Sequence, residues 1–83
     1  MKLVMVYREA SEHRMAAESF MRDFKYQTGR SIEGINPDTR EGAAFCKIYD
    51  IMQYPTLIAI TPDGTPLATW AGTLPTISEA SGY

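Results

Sequence analysis

The apolar residues in the first third of the chain change from a continuous run to a helical repeat. Residues 3–7 (LVMVY) are all apolar or aromatic, which predicts a strand buried on both faces of a sheet. We expect the helix after it to begin with Ser11 as N-cap, to run to about residue 27 and to stop at Gly29. Its apolar stripe has the spacing i, i+3, i+4 and i+7 and consists of Ala17, Phe20, Met21 and Phe24.

The middle of the chain predicts a short strand followed by a second helix. Residues 31–35 (SIEGI) are expected to form the strand. Residues 36–39 (NPDT) combine cap residues with a proline, as helix starts do. We expect Tyr54-Pro55 to end this helix. The helical spacing recurs here and predicts an apolar stripe of Phe45, Ile48, Tyr49 and Met52.

The last third of the chain predicts a hairpin and a short helix. Residues 56–61 (TLIAIT) and 67–71 (LATWA) form two predicted strands, joined by a turn at residues 62–64 (PDG). Residues 77–81 are expected to form one or two helical turns. The order is β-α-β-α-β-β-α in a single domain of residues 1–83. We therefore predict an α/β fold with a mixed four-stranded sheet flanked by helices.

Composition and charge narrow the classes of function. The chain is 45 % hydrophobic and 22 % charged, which is typical of a globular domain. Its net charge of −2 leaves no basic surplus for a phosphate backbone, so we expect no nucleic-acid partner. With one cysteine and one histidine we expect no internal disulfide, no metal site and no cofactor. The apolar run at residues 3–7 is too short for a signal peptide or a membrane span, so we expect a cytoplasmic protein without membrane association.

The chain resembles the thioredoxin fold in an ordered set of short motifs. Residues 49–57 (YDIMQYPTL) resemble the helix end, loop and cis-proline segment of that family. Asp63-Gly64 resembles its hairpin turn, and Gly72 resembles the glycine after its last strand. Residues 3–7 and the helix after them fit the family's first strand, active-site loop and long helix. The resemblance covers nearly the whole chain and implies a thioredoxin-like fold.

The redox motif of that family is absent. Its CxxC cysteines correspond to Ser11 and Arg14 in this chain. A helix N-terminus stabilises a thiolate, whereas a serine hydroxyl requires a general base to become a nucleophile. His13 lies only two residues after Ser11 and would point to another side of a helix. We therefore expect no catalytic residue and a protein that is not a redox enzyme.

Each polar residue of this segment has a structural and a functional interpretation. Ser11 is expected to cap the helix, with a polar contact to a partner as the alternative. Arg14 is expected to be an exposed first-turn residue, with a contact to a partner or an anion as the alternative. His13 is expected to be an exposed helix residue, with a pH-sensitive contact as the alternative. Cys46 lies at the edge of the predicted stripe of the second helix, which favours packing over a regulatory or dimer-forming thiol.

The resemblance implies a function in binding an extended peptide or a protein. In thioredoxin-like proteins the residue before the cis proline pairs its backbone with a peptide, and the resemblance carries this role to Tyr54. The groove would lie between residues 10–14, 54–56 and 71–72. Two alternatives remain, a thiol-dependent redox protein using Cys46 and a structural domain that forms homodimers. The candidate partner-binding residues are Ser11, His13, Arg14, Tyr54, Pro55, Thr56, Ala71 and Gly72.

Overall fold

A computed structural model describes all residues, 1–83, and contains four strands and three helices. The elements in chain order are β1 (Lys2–Val6), α1 (Arg14–Thr28), β2 (Glu33–Ile35), α2 (Arg40–Tyr49), β3 (Thr56–Ile60), β4 (Pro66–Ala71) and α3 (Ile77–Ser81). The strands form one sheet in the order β2-β1-β3-β4. β1 is parallel to β2, and β3 is antiparallel to both β1 and β4. The predicted α/β fold with a mixed four-stranded sheet flanked by helices is confirmed.

The two central strands, β1 and β3, carry a hydrophobic core on each face. Successive side chains of a strand point to opposite faces, so a continuous apolar run fills both cores. Met5 packs in one core with Phe24 of α1 and Ala80 of α3. Val6 packs in the other core with Cys46 of α2. The sheet is therefore covered by α1 and α3 on one face and by α2 on the other.

The first helix has the predicted buried face but a different start. Ala17 and Phe24 are fully buried, and the other two stripe residues pack against them. Gly29 adopts a left-handed φ of 76° and ends the helix as predicted. The prediction that Ser11 is the N-cap is wrong, because α1 begins at Arg14 and His13 holds the N-cap position. Ser11 lies in the preceding turn, where its hydroxyl donates a hydrogen bond to the Arg8 carbonyl of the same loop.

The second helix has the predicted start but a different buried face. Thr39 is its N-cap, and the Thr39 hydroxyl accepts a hydrogen bond from the Gly42 N–H at 3.0 Å. The predicted stripe is wrong at two positions, since Ile48 is 74 % exposed and Met52 lies beyond the helix and is 80 % exposed. Gly42 and Cys46 are its buried residues, and Cys46 packs in the core with Phe45 and Tyr49 against it.

The remaining elements differ from prediction only at their ends. β2 has three residues rather than five, because Ile32 is buried but precedes the paired segment. α2 ends at Tyr49 rather than at Tyr54-Pro55, with Asp50 in a left-handed conformation as C-cap. β3, β4 and α3 lie where the pattern predicts them.

Candidate functional site

The register of the sheet brings the three predicted segments of the site to one edge. Val6, the last residue of β1, pairs with Thr56, the first residue of β3. Thr56 also pairs with Ala71, the last residue of β4. The loop after β1, the turn before β3 and the residues after β4 therefore meet at this edge. We call this the site edge, formed by residues 8–14, 54–56 and 71–72.

The loop between β1 and α1 is held together by its own polar groups. The Ser11 hydroxyl donates to the carbonyl oxygen of Arg8 at 2.5 Å. The Arg8 backbone N–H donates to Nε2 of His13 at 3.0 Å. Ser11 and His13 thus both bind the backbone of Arg8 and are not paired with each other. This geometry has no Ser–His pair that could activate the hydroxyl as a nucleophile.

Arg14 is the first residue of α1, and its guanidinium extends along the helix toward Glu18. Its Nε lies 3.3 Å from both carboxylate oxygens of Glu18, an i,i+4 pair. Glu18 also accepts a hydrogen bond from the Tyr7 hydroxyl at 3.1 Å. Burial, followed by the Glu18 hydrogen bond and charge, raises the pKa of Tyr7. Arg14 is exposed, so its guanidinium remains accessible beside the loop.

Tyr54 joins the loop to the face covered by α2. The Arg8 guanidinium carbon lies 5.1 Å from the centroid of the Tyr54 ring, a cation–π distance. The Tyr54 hydroxyl lies 4.0 Å from Sγ of Cys46. Burial and then the neighbouring Cys46 raise the pKa of Tyr54, while the Arg8 charge acts in the opposite direction. The half-buried ring therefore has a defined position between the loop and α2.

Two residues of this cluster were missed by the sequence analysis. Arg8 covers the Tyr54 ring and also lies 3.4 Å from the Asp38 carboxylate, measured from Nε. Asp38 belongs to the NPDT segment, for which the sequence pattern predicts only a helix start. Their positions in the sequence could have indicated this contact. Arg8 is the first charged residue after β1, and Asp38 follows β2. Because β1 and β2 are parallel neighbours, their carboxyl ends lie at the same edge of the sheet.

The turn before β3 is tied to the end of β4. The Tyr54-Pro55 peptide bond is cis. The Pro55 carbonyl accepts a hydrogen bond from the Gly72 N–H at 2.9 Å, which extends the β3–β4 pairing by one step. Gly72 has a left-handed φ of 76°, a conformation that favours glycine. Pro55 and Thr56 are buried, whereas Ala71 and Gly72 are exposed.

The backbone of Tyr54 has no partner within the chain. Neither its N–H nor its carbonyl oxygen belongs to the strand pairs or to the turn and loop hydrogen bonds. The neighbouring backbone is satisfied, since the Gln53 carbonyl accepts from the Thr56 hydroxyl at 2.5 Å and the Pro55 carbonyl is bonded to Gly72. A donor and an acceptor are therefore free on one residue at the site edge, and they can pair with an extended backbone.

Cys46 lies away from the loop, on the face of the sheet covered by α2. It is 8 % exposed and unpaired, and it packs in the second core. No group of three or more His, Cys, Asp or Glu side chains is close enough to hold a metal ion. The surface has no enclosed cavity, so the site edge is an open surface. None of the helices is long and apolar enough to span a membrane.

Comparisons with known proteins identify the fold. No protein-family model matches the chain, and no curated protein matches it in sequence. Thioredoxin 1 from the thermophilic eubacterium Thermosipho africanus TCF52B is similar over 99 % of this chain and 88 % of that one, with a TM-score of 0.72 and 17 % identity. A malarial protein is similar over 96 % of this chain and 88 % of its own, with a TM-score of 0.70 and 12 % identity. We conclude that the chain has the thioredoxin-like fold, with Ser11 and Arg14 where the resemblance places the two cysteines of that fold's redox motif.

Proposed function

We propose that the protein binds an extended segment of a protein partner at the site edge and has no redox activity. The observation that carries the proposal is the unpaired backbone of Tyr54, whose N–H and carbonyl lie beside satisfied neighbours. An extended peptide that pairs with this residue would replace the water on both groups, as in other cases of strand addition.

The side chains around Tyr54 suit a peptide contact. Its half-buried ring is held by Arg8, so little side-chain entropy remains to be lost on binding. Tyrosine and arginine are also among the residues that most often dominate binding energy at interfaces. Ala71 and Gly72 are exposed on the other side of the turn, and the Gln53 side chain lies over Gly72. Ser11, His13 and Arg14 would line the loop side of the same contact.

The absence of the CxxC motif supports the non-redox part of the proposal. The one thiol, Cys46, is buried on α2, and Ser11 is hydrogen-bonded to the Arg8 carbonyl. We expect no reduction of insulin disulfides by the protein, with no difference between the wild type and Cys46→Ala. Turnover that disappears in Cys46→Ala would contradict this part. A lone cysteine also requires no oxidising compartment, and we keep a cytoplasmic location as part of the proposal.

Peptide binding can be tested on a ligand selected by the protein itself. A displayed library of random peptides is panned against the wild type, and the enriched peptide is then titrated by NMR. We expect the Tyr54 amide to shift and its hydrogen exchange to slow, because a new backbone hydrogen bond protects it. Tyr54→Ala should weaken binding about tenfold or more, since it removes a central aromatic contact.

The matched control keeps the ring and removes only the hydroxyl. Tyr54→Phe loses the contact with Cys46 but retains the surface that Arg8 covers, so we expect affinity close to that of the wild type. If no peptide is enriched, or if the enriched peptide binds without protecting the Tyr54 amide, the proposed site is wrong.

A further inference from the structure

The two edge strands of the sheet differ in length and charge. β2 has three residues, and its Glu33 carboxylate is paired with Lys2 at 3.1 Å. β4 has six residues, PLATWA, without an ionisable side chain. Exposed edges are usually short or charged, because their free backbone groups attract another strand. β4 has a proline and a bulge only at its beginning, so residues 68–71 form an unprotected edge.

The pairing pattern identifies which backbone groups of β4 point outward. Gly72 donates to Pro55, so these two residues occupy a hydrogen-bonded position of the β3–β4 ladder. Hydrogen-bonded and non-hydrogen-bonded positions alternate along antiparallel strands. Trp70, opposite Leu57, therefore bonds to β3, while Thr69 and Ala71 direct their N–H and carbonyl groups away from it. No other segment of the chain donates to or accepts from these outward groups.

We propose that β4 is a dimerisation edge, on which a second copy of this chain pairs antiparallel about a two-fold axis at Trp70. In this register Thr69 of each copy lies opposite Ala71 of the other, and the pairs form four N–H···O=C bonds. Trp70 of one copy lies opposite Trp70 of the other in a non-hydrogen-bonded pair, where the Cα atoms are about 4.5 Å apart and side chains are closest. Two four-stranded sheets then become one continuous sheet.

The chemistry of the edge favours a second copy over an unrelated strand. An antiparallel pair of identical strands is self-complementary, so each outward donor meets the matching acceptor. β4 has no charged side chain near the two-fold axis. Two chains of net charge −2 therefore do not bring like charges of this strand into contact there. The register also leaves Leu67, the extra residue of the bulge, outside the hydrogen-bonded pairs.

The test measures mass by light scattering over a range of protein concentrations. We expect the wild type to rise from 9.3 kDa toward twice that value. Thr69→Pro removes the outward N–H of each copy, and with it two of the four bonds, while the inward bonds to β3 remain. We expect its dimer dissociation constant to rise about tenfold or more. Thr69→Val keeps the N–H and the branched shape and should dimerise like the wild type.

Trp70 supplies an independent readout, because it is the one tryptophan of the chain. Two indoles in close contact give an exciton couplet in circular dichroism, which we expect to grow with concentration in step with the mass. A wild type that stays at one chain mass overturns the proposal, as does a dimer without the couplet. If Thr69→Pro does not fold, Ala71→Pro, which removes the other outward N–H, replaces it.

The dimer proposal shares Ala71 with the proposed peptide site but rests on other backbone groups, those of Thr69 and Ala71 rather than those of Tyr54. Tyr54→Ala leaves the outer edge of β4 unchanged, so it should dimerise like the wild type even where it loses peptide binding. A wild type that binds peptide as a monomer refutes the dimer alone, and a dimer without peptide binding refutes the peptide site alone.

Discussion

The two long helices pack on opposite faces of the same sheet, yet only one of them follows its apolar pattern. In α1 the spacing of apolar residues identifies the buried face, centred on Ala17 and Phe24. In α2 the same spacing points to Ile48, which is 74 % exposed. The buried face of a helix therefore depends on close backbone contacts at its start as well as on its apolar repeat.

The competing contact in α2 involves a residue without a side chain. A Cβ atom at Gly42 would lie 1.8 Å from the carbonyl oxygen of Asn36. That carbonyl also accepts hydrogen bonds from the N–H and hydroxyl of Thr39, the N-cap. The helix start is therefore packed tightly against the turn before it, with Cys46 in the core beneath the sheet and Ile48 exposed.

The largest expected effect is at the centre of the α1 core. Phe24→Ala should lower the free energy of unfolding by about 3–5 kcal/mol, because Phe24 is fully buried and the change leaves a cavity. Urea denaturation measures the difference. Tyr26→Ala, at a residue of the same helix that is 92 % exposed, is the control and should change stability by less than about 0.5 kcal/mol. Equal losses in both variants would contradict the assignment of the α1 core.

A smaller loss is expected when a methyl group is added to α2. Gly42→Ala should lower the free energy of unfolding by about 1–3 kcal/mol, because the new Cβ displaces the Asn36 backbone. Ala44→Gly, an exposed position on the same helix, should cost about 1 kcal/mol through helix propensity alone. A Cβ methyl group would then lower the stability of the protein at position 42 and raise it at position 44. A more stable Gly42→Ala would mean that propensity, not contact, governs this helix.

The smallest effect tests the predicted stripe of α2 at Ile48, against a buried isoleucine just after the helix. Ile48→Ala should change the free energy of unfolding by less than about 0.5 kcal/mol, because the side chain is exposed. Ile51→Ala, three residues later and 5 % exposed, should cost about 2–5 kcal/mol. Thermal and urea unfolding of the two variants compare the same residue type in both environments. A large loss of unfolding free energy in Ile48→Ala would instead support the stripe predicted from sequence.

The candidate site was predictable in its location and not in its contacts. Strand order and the motif around Tyr54-Pro55 place Ser11, Tyr54 and Gly72 near one edge, and the strand register brings their segments together there. The roles of Arg8 and Asp38 were not predictable, since their contacts join residues 30 or more positions apart or depend on ring orientation. Ser11 was misassigned because a serine before a helix fits both an N-cap and a turn, and only the backbone path distinguishes them.

The order of elements, the continuous apolar strands and the helix ends at Gly29 and Thr39 can be read from the amino-acid sequence, because they depend on local periodicity and backbone preference. Only the folded chain shows which face of α2 is buried, how the Tyr54 ring is oriented and that β4 has a free edge. The orientation of Tyr54 follows from its contact with the distant Arg8, and the free edge of β4 follows from the order of the strands, whereas the start of α2 is set by the close approach of Gly42 to Asn36. No local pattern contains that information, because it arises only when the four strands are placed side by side.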